Sequence, residues 1–257
     1  MSTQGARKYL YCILRAARAS SPVKVLGVGN PQAEVSLISE GDIAAVVSSH
    51  ETADQFDLLR DTRIQQRVLE YFLQDGPLVP ASFGTVADGE EPLRTLLRQR
   101  RKELLGLLES LEGKIEAGVK VFWEKPAVIA EIEARWGKLE ELKKRAIEQK
   151  DQVLSLRIGR AVAELIEAWK ATHVEAIKET LAQCVLDARY SEPIGIRMLL
   201  NAAYLIPRDG LGAFETVVHE LDRRYDGKMR FHLVVPLPPY NFAHLRITPE
   251  EMKPDGR

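Results

Sequence analysis

The sequence predicts an α+β protein of two domains followed by a C-terminal tail. Three observations lead there. Short apolar runs alternate with turn residues over the first third, the strand-like alternation restarts after Gly113, and the stretch from Pro126 to Arg189 is helical in pattern and free of proline after its first residue. A chain of 257 residues also has room for two domains of about 100–150 residues each. The expected division is residues 1–113, an N-terminal mixed sheet with helices, then 114–237, a ferredoxin-like split βαβ layer with an inserted helical extension. Residues 238–257 follow as a tail that packs between the domains or on a partner.

Taken in order, Tyr9 to Leu14, Lys24 to Val28, Glu34 to Ser39 and Ile43 to Ser48 read as strands separated by turn signals such as Gly29-Asn30-Pro31 and Glu40-Gly41-Asp42. In the last of these both alternating sets are apolar, as expected of a strand covered on two faces. Asp61 to Gln74 carries Ile64, Val68, Leu69 and Phe72 at helical spacing and stops at Gly76-Pro77, so it is a candidate cover. Pro80 cannot donate a ladder hydrogen bond, which makes the short strand around it an edge, a bulge or a strand entrance. Glu90 to Leu111 then reads as one helix with a leucine face and an arginine face.

Beyond Gly113, Ile115, Ala117, Val119, Val121 and Trp123 alternate with polar neighbours as a half-buried strand. The helical stretch that follows carries a seam through Ile158, Val162, Leu165, Trp169, Ala176 and Cys184. Ser191-Glu192-Pro193 breaks it. A strand over Ile194 to Ile206, an amphipathic helix over Leu211 to Tyr225 and a strand over Lys228 to Val235 complete a βαβαβ order, which is the basis of the ferredoxin-like expectation.

Composition narrows the function. Thirty-six Lys plus Arg balance thirty-seven Asp plus Glu, leaving a net charge of -1 and no global field to attract nucleic acid or an anionic membrane. The run Tyr9 to Leu14 is too short for a signal peptide, and no stretch has the length of a spanning helix. Cys12 and Cys184 offer no metal-ligand spacing and fit a reducing cytoplasm. Gly27-Val28-Gly29 opens like a dinucleotide fingerprint, but Gln32 and Pro31 stand where the motif needs a third glycine and a helix, so a turn is expected. P-loop, zinc-protease, nucleophile-elbow and calcium-loop motifs are all missing, and the five histidines, His244 among them, stand singly. No catalytic, cofactor or metal residue is therefore assigned. Arg98, Arg100, Arg101 and Lys102 form a basic cluster without interleaved aromatics, which reads as a solvated helix face.

The most unusual stretch is Val235-Pro-Leu-Pro-Pro-Tyr-Asn-Phe242, where prolines pre-set an extended backbone that carries two aromatic anchors. Such an arm loses little entropy on docking, whether within the molecule or on a partner. Pro238, Pro239, Tyr240 and Phe242, together with Pro80 and Phe83 on the edge strand, are the expected partner or interdomain contacts.

Tyr9-Leu-Tyr-Cys-Ile, Ser39-Glu-Gly-Asp-Ile-Ala-Ala-Val-Val-Ser48, Val79-Pro-Ala-Ser-Phe-Gly-Thr-Val86, Leu200-Asn-Ala-Ala-Tyr-Leu205 and Pro238-Pro-Tyr-Asn-Phe242 together resemble the gas vesicle protein L/F family across nearly the whole chain. The sequence departs from the family at Val235-Pro-Leu237, where Gly-Pro-Trp is common. The resemblance implies an accessory or minor structural protein required for gas vesicle formation. Its implied partners are the hydrophobic major shell protein and other accessory proteins, met in the cytoplasm at the vesicle. It implies no catalytic residues. From the fold expectation alone, a ferredoxin-like module that senses a small ligand is the alternative.

Overall fold

The computed structural model describes residues 6–18, 23–29, 33–50, 56–135, 139–149, 152–243 and 245–254. The expected turn at Asn30, Pro31 and Gln32 lies outside them, as does His244. Two compact units emerge, residues 1–116 with 236–257, and residues 117–235.

The first unit is built on an antiparallel sheet of β1 (Lys8–Arg15), β2 (Val35–Glu40), β3 (Ile43–Ser49), β4 (Leu78–Pro80) and β5 (Val86–Ala87). The order is β2-β3-β1-β4, with β5 also pairing with β1. Residues 9–14 and 43–48 are buried throughout, as two covered faces require. Strict alternation fails in β1 because the register shifts between Leu10 and Cys12, making Tyr11 a bulge residue. Tyr9, Tyr11, Cys12 and Leu14 consequently all join the core cluster that α1 (Leu58–Leu73) covers with Val68, Leu69 and Phe72. Each such side chain, fully buried, contributes about 1.5–3 kcal/mol.

Helix α1 begins three residues before the expected Asp61. Asp57 caps it by accepting from the Arg60 N–H at 3.0 Å, while the Asp61 carboxylate accepts from the Asp57 N–H at 2.9 Å. The helix expected over Glu90 to Leu111 is two helices, α2 (Glu91–Gln99) and α3 (Arg101–Ser110), separated by Arg100. The bend has a use. It lets the leucine stripe follow the sheet, with α2 lying on β2 and β3 and α3 on β1 and β4. Lys24 to Val28 forms no strand, only an isolated bridge from Leu26 to Glu34, because the Val28 N–H is taken by the Tyr11 hydroxyl instead of a ladder partner.

The second unit contains most of β6 (Lys114–Trp123), then α4 (Lys125–Arg135), α5 (Leu139–Glu148), α6 (Gln152–Ala182), β7 (Asp187–Ser191), β8 (Met198–Pro207), α7 (Leu211–Arg224) and most of β9 (Met229–Leu237). Its sheet runs β7-β8-β6-β9. The helical stretch thus divides into three helices and ends at Ala182, and Asp187–Ser191, expected as helix, is a strand paired antiparallel with β8. That strand is half-buried to exposed along its length, so it carries no apolar alternation by which to recognise it. Strand β8 starts at Met198, four residues later than expected, and leaves Ile194 and Ile196 in the connection. The α6 seam holds through Ile158 and Trp169 and then passes to Ile177 and Leu181. A 3.5-residue repeat drifts about 20° per heptad around a straight helix, and over 31 residues that moves burial from Ala176 to its neighbour. Among the described residues no helix is long and apolar enough to cross a membrane.

Candidate functional site

The prolines at the end of β9 do not project an extended arm. After Leu237 the chain turns at once, with Tyr240 and Ala243 donating main-chain hydrogen bonds to Pro238 and Pro239, each at 2.8 Å. Pro238 and Pro239 are buried. The turn brings Tyr240 and Asn241 onto the rest of the first unit. Gln65, on the sheet-facing side of α1, donates through Nε2 to the Tyr240 hydroxyl at 2.8 Å and to the Ala81 carbonyl at 3.1 Å. The Gln65 Oε1 accepts from the Tyr9 hydroxyl, which itself accepts from the Gly84 N–H at 3.1 Å. One glutamine thereby joins helix, sheet, β4 exit and tail.

Asn241 is tied to Glu116. Its main-chain N–H and Nδ2 donate to the two carboxylate oxygens at 3.0 and 2.6 Å. The strand alternation places Glu116 on the polar face of β6, yet it is 2% exposed. Phe242 is half-buried. Further along, the Met252 carbonyl accepts from the Asp88 N–H at 2.8 Å, and Arg100 donates to the Arg246 carbonyl at 2.5 Å and reaches Glu251.

Pro80 stands where its chemistry suggests. It is the last residue of β4, opposite Cys12, and β4 ends the strand order, so the missing N–H interrupts no inner ladder. Pro80, Ser82, Tyr240, Ala243, Leu245 and Arg246 line a cleft of about 460 Å³. Tyr240, 40% exposed, forms one wall while its hydroxyl reaches Gln65. Phe83 belongs to a neighbouring aromatic cluster, edge-on to Tyr9 and Phe56, with His50 stacked on Phe56 at 5.0 Å. The structure thus brings Pro80 and Tyr240 to one cleft, sets Pro238 and Pro239 beneath the turn, and gives Phe83 to the cluster.

The ionisable groups here are kept out of acid–base work. Burial raises the Tyr9 phenol and pushes Tyr11 and Tyr240 each up to about 12, outweighing their hydrogen bonds, so all three stay neutral. Burial likewise raises the Cys12 thiol, which removes it as a thiolate nucleophile. The three arginines of the basic cluster are engaged rather than free. Arg101 makes a two-pronged pair with Asp42, Arg98 meets Glu40, and Arg100 grips Glu103. These guanidinium hydrogen bonds hold the Asp42 and Glu103 carboxyls below their usual range.

Glu116 is the exception with a measurable consequence. Burial raises its carboxyl above the ordinary 4.5, against the two hydrogen bonds from Asn241. The folded chain therefore holds this proton to a higher pH than the unfolded chain does. The resulting stability is fully present below the unfolded value and is lost as pH rises through the folded one. Glu116→Gln is expected to abolish that slope in urea midpoints measured from about pH 4 to 7. A slope unchanged in the variant would place its origin elsewhere.

Two of these contacts escape a sequence reading for different reasons. Gln65 has a faint signal, a polar residue within the apolar stripe of α1 beside Val68 and Leu69. Glu116 has none, because a charged residue at an alternate strand position is the ordinary pattern of a solvated face.

A family model described as gas vesicle synthesis protein GvpL/GvpF matches residues 7–244. Gas vesicle protein F of Streptomyces sp. (strain CB03234) is 29% identical over 241 residues, covering 91% of this chain and 98% of the relative. The crystal structure of the gas vesicle protein GvpF from Anabaena sp. PCC7120 superposes with a TM-score of 0.78 at 22% identity, over 95% of this chain and all of that one. GvpF from Microcystis aeruginosa gives 0.74 at 23%, over 93% and all of that chain.

Proposed function

Because this chain belongs to the GvpL/GvpF family of gas vesicle synthesis proteins, we propose that it is an accessory or minor structural protein of the gas vesicle. In this reading it works by contact and not by turnover. It binds the hydrophobic major shell protein or other accessory proteins from the cytoplasm during nucleation and assembly, and is a candidate for incorporation into the shell. The observation that carries the reading is the cleft where the sheet ends at Pro80 and the tail turns at Tyr240. A sheet end beside a half-exposed aromatic offers a partner both main-chain pairing and apolar burial. The neutral phenols, raised thiol and paired arginines suit a binding surface better than a reacting centre.

The test is capture of the shell protein by purified full-length chain, together with copurification on washed vesicles. Tyr240→Ala/Phe242→Ala is expected to abolish capture while lowering stability by about 1–3 kcal/mol. That is less than the 3–5 kcal/mol of a single fully buried aromatic, since Tyr240 is exposed and Phe242 half-buried. Wild-type capture by this variant would move the contact elsewhere on the molecule. Failure of the wild-type chain both to capture shell protein and to copurify would overturn the reading.

A further inference from the structure

The tail beyond the cleft lies on a second stretch of sheet edge. Strand β3 pairs with β1 along its whole length, so β4, opposite Cys12 to Leu14, and β5, opposite Lys8 and Tyr9, share the other side of β1. Together they form one interrupted edge. Leu10 donates to the Thr85 carbonyl at 2.9 Å, which turns Thr85 and Ala87 toward β1 and leaves Val86 and Asp88 facing away. The outward Asp88 N–H is taken by the Met252 carbonyl at 2.8 Å. Met252 is 5% exposed, and with Ile247 and Pro249 it faces Thr85, Val86 and Asp88 across a cleft of about 310 Å³. The tail thus does at β5 what a partner is proposed to do at β4, supplying a main-chain acceptor and burying an apolar side chain.

The two halves of the tail are held differently. Through Ala243 it is fixed by the buried side chains of Gln65 and Glu116, on Tyr240 and Asn241. Residues 245–254 bond mostly to the tail itself. Leu245 donates to Ala243, Met252 to Pro249 and Lys253 to Glu250, and the Thr248 N–H and hydroxyl both donate to Glu251, at 2.7 and 3.1 Å. Among the described residues, their polar ties to the rest of the unit are the Asp88 bond and Arg100, which holds the Arg246 carbonyl and reaches Glu251. Within 245–254 only Met252 is buried. A segment with one buried side chain and self-contained hydrogen bonds opens locally at far lower free energy than the sheet beneath it.

We infer that residues 245–254 are a displaceable strap over the β5 edge, and that an extended partner segment carrying an acidic residue followed by an aliphatic one takes their place. The inference rests on the reading that the cleft at Pro80 and Tyr240 is the partner site, and it names what restrains that site. The occupant's chemistry is set by what the departing strap leaves behind. The Asp88 N–H needs a main-chain carbonyl, the Met252 site an aliphatic side chain, and Arg100, on losing Glu251, a carboxylate. Methionine fills irregular gaps that other aliphatic side chains also fit. With the strap in place a partner is confined to the β4 end, and with the strap released it pairs along both strands.

Met252→Asp in the full-length chain tests the inference, because a carboxylate in that buried site expels the strap. The Asp88 amide is expected to exchange hydrogen at least tenfold faster than in the wild type, with the Leu10 amide unchanged. Shell protein is expected to be captured at least threefold more tightly, and its binding to protect the Asp88 amide again. Glu251→Lys, which sets like charge against Arg100 and leaves the buried methionine alone, is expected to act in the same direction and serves if the first variant misfolds. Asp88 exchange unchanged in both variants, wild-type capture that neither variant strengthens, or an Asp88 amide left unprotected in the complex would each overturn the strap and leave the partner reading standing. Capture of shell protein by none of the three chains would overturn both.

Discussion

Gln65→Leu is expected to destabilise the protein by about 2–6 kcal/mol, at roughly 1–3 for each of two buried polar groups that lose a hydrogen bond to it. The groups are the Tyr9 hydroxyl and the Ala81 carbonyl, which lose Oε1 and Nε2 of the same side chain. The Tyr240 hydroxyl adds less, because the residue is 40% exposed. The measurement is a urea midpoint at unchanged slope. A second variant isolates the cause. In Tyr9→Phe/Gln65→Leu the hydroxyl is gone, so part of the loss is expected to return. A double variant as unstable as the sum of the singles would point to packing defects instead.

Gly27→Ala is expected to cost about 3 kcal/mol or more, at the upper end of what overpacking does in a core. A Cβ there would stand 2.6 Å from both the Ser48 Cβ and the Tyr11 hydroxyl. These atoms have no room to give. Tyr11 accepts from the Val28 N–H and lies 2.8 Å from the Ser48 hydroxyl, which donates to the Val28 carbonyl at 3.2 Å, so the three groups close a ring around the glycine. The Gly27-Val28-Gly29 string that resembles the start of a nucleotide loop is thus explained as close packing of chain on sheet. Thermal unfolding of Gly27→Ala beside Gly27→Ser separates steric cost from hydrogen bonding. An alanine variant as stable as the wild type would mean the segment lifts away without penalty, and the ring would hold nothing.

Elements with a strong period are the ones a reader of the sequence finds. Strand β3, with two apolar faces, β6 with its alternation, and the amphipathic α1 and α7 are legible to within a few residues. Those missed lack a period or have a false one. Strand β7, with the sequence Asp-Ala-Arg-Tyr-Ser, lies at a sheet edge where solvent tolerates polar side chains on both faces. Lys24 to Val28 is as apolar as a strand but spends its Val28 N–H on a tyrosine. The bulge at Tyr11 breaks the alternation of β1 in a way that only pairing with β3 reveals.

The candidate surface divides along the same line. Pro80 announces an edge because a residue without an N–H is poorly placed inside a sheet, and the terminal prolines announce that β9 must stop. The partners could not be read in the same way. Gln65 and Tyr240 are 175 positions apart, and Glu116 and Asn241 are 125 apart. Nothing local requires either pair to meet.

What the sequence by itself determined is the α+β class, the apolar faces, the absence of recognised catalytic motifs and the likeness to the gas vesicle L/F family. All of these depend on residue type at short spacing. Only the tertiary structure decided that the tail turns back at Pro239 onto Gln65 and Glu116, that the arginine cluster is spent on Glu40, Asp42 and Glu103, and that Ile194 and Ile196 stand in water. The reason is the range of the forces. Backbone periodicity is set by neighbours a few residues away, whereas a buried polar group takes its partner from whatever the fold brings within about 3 Å.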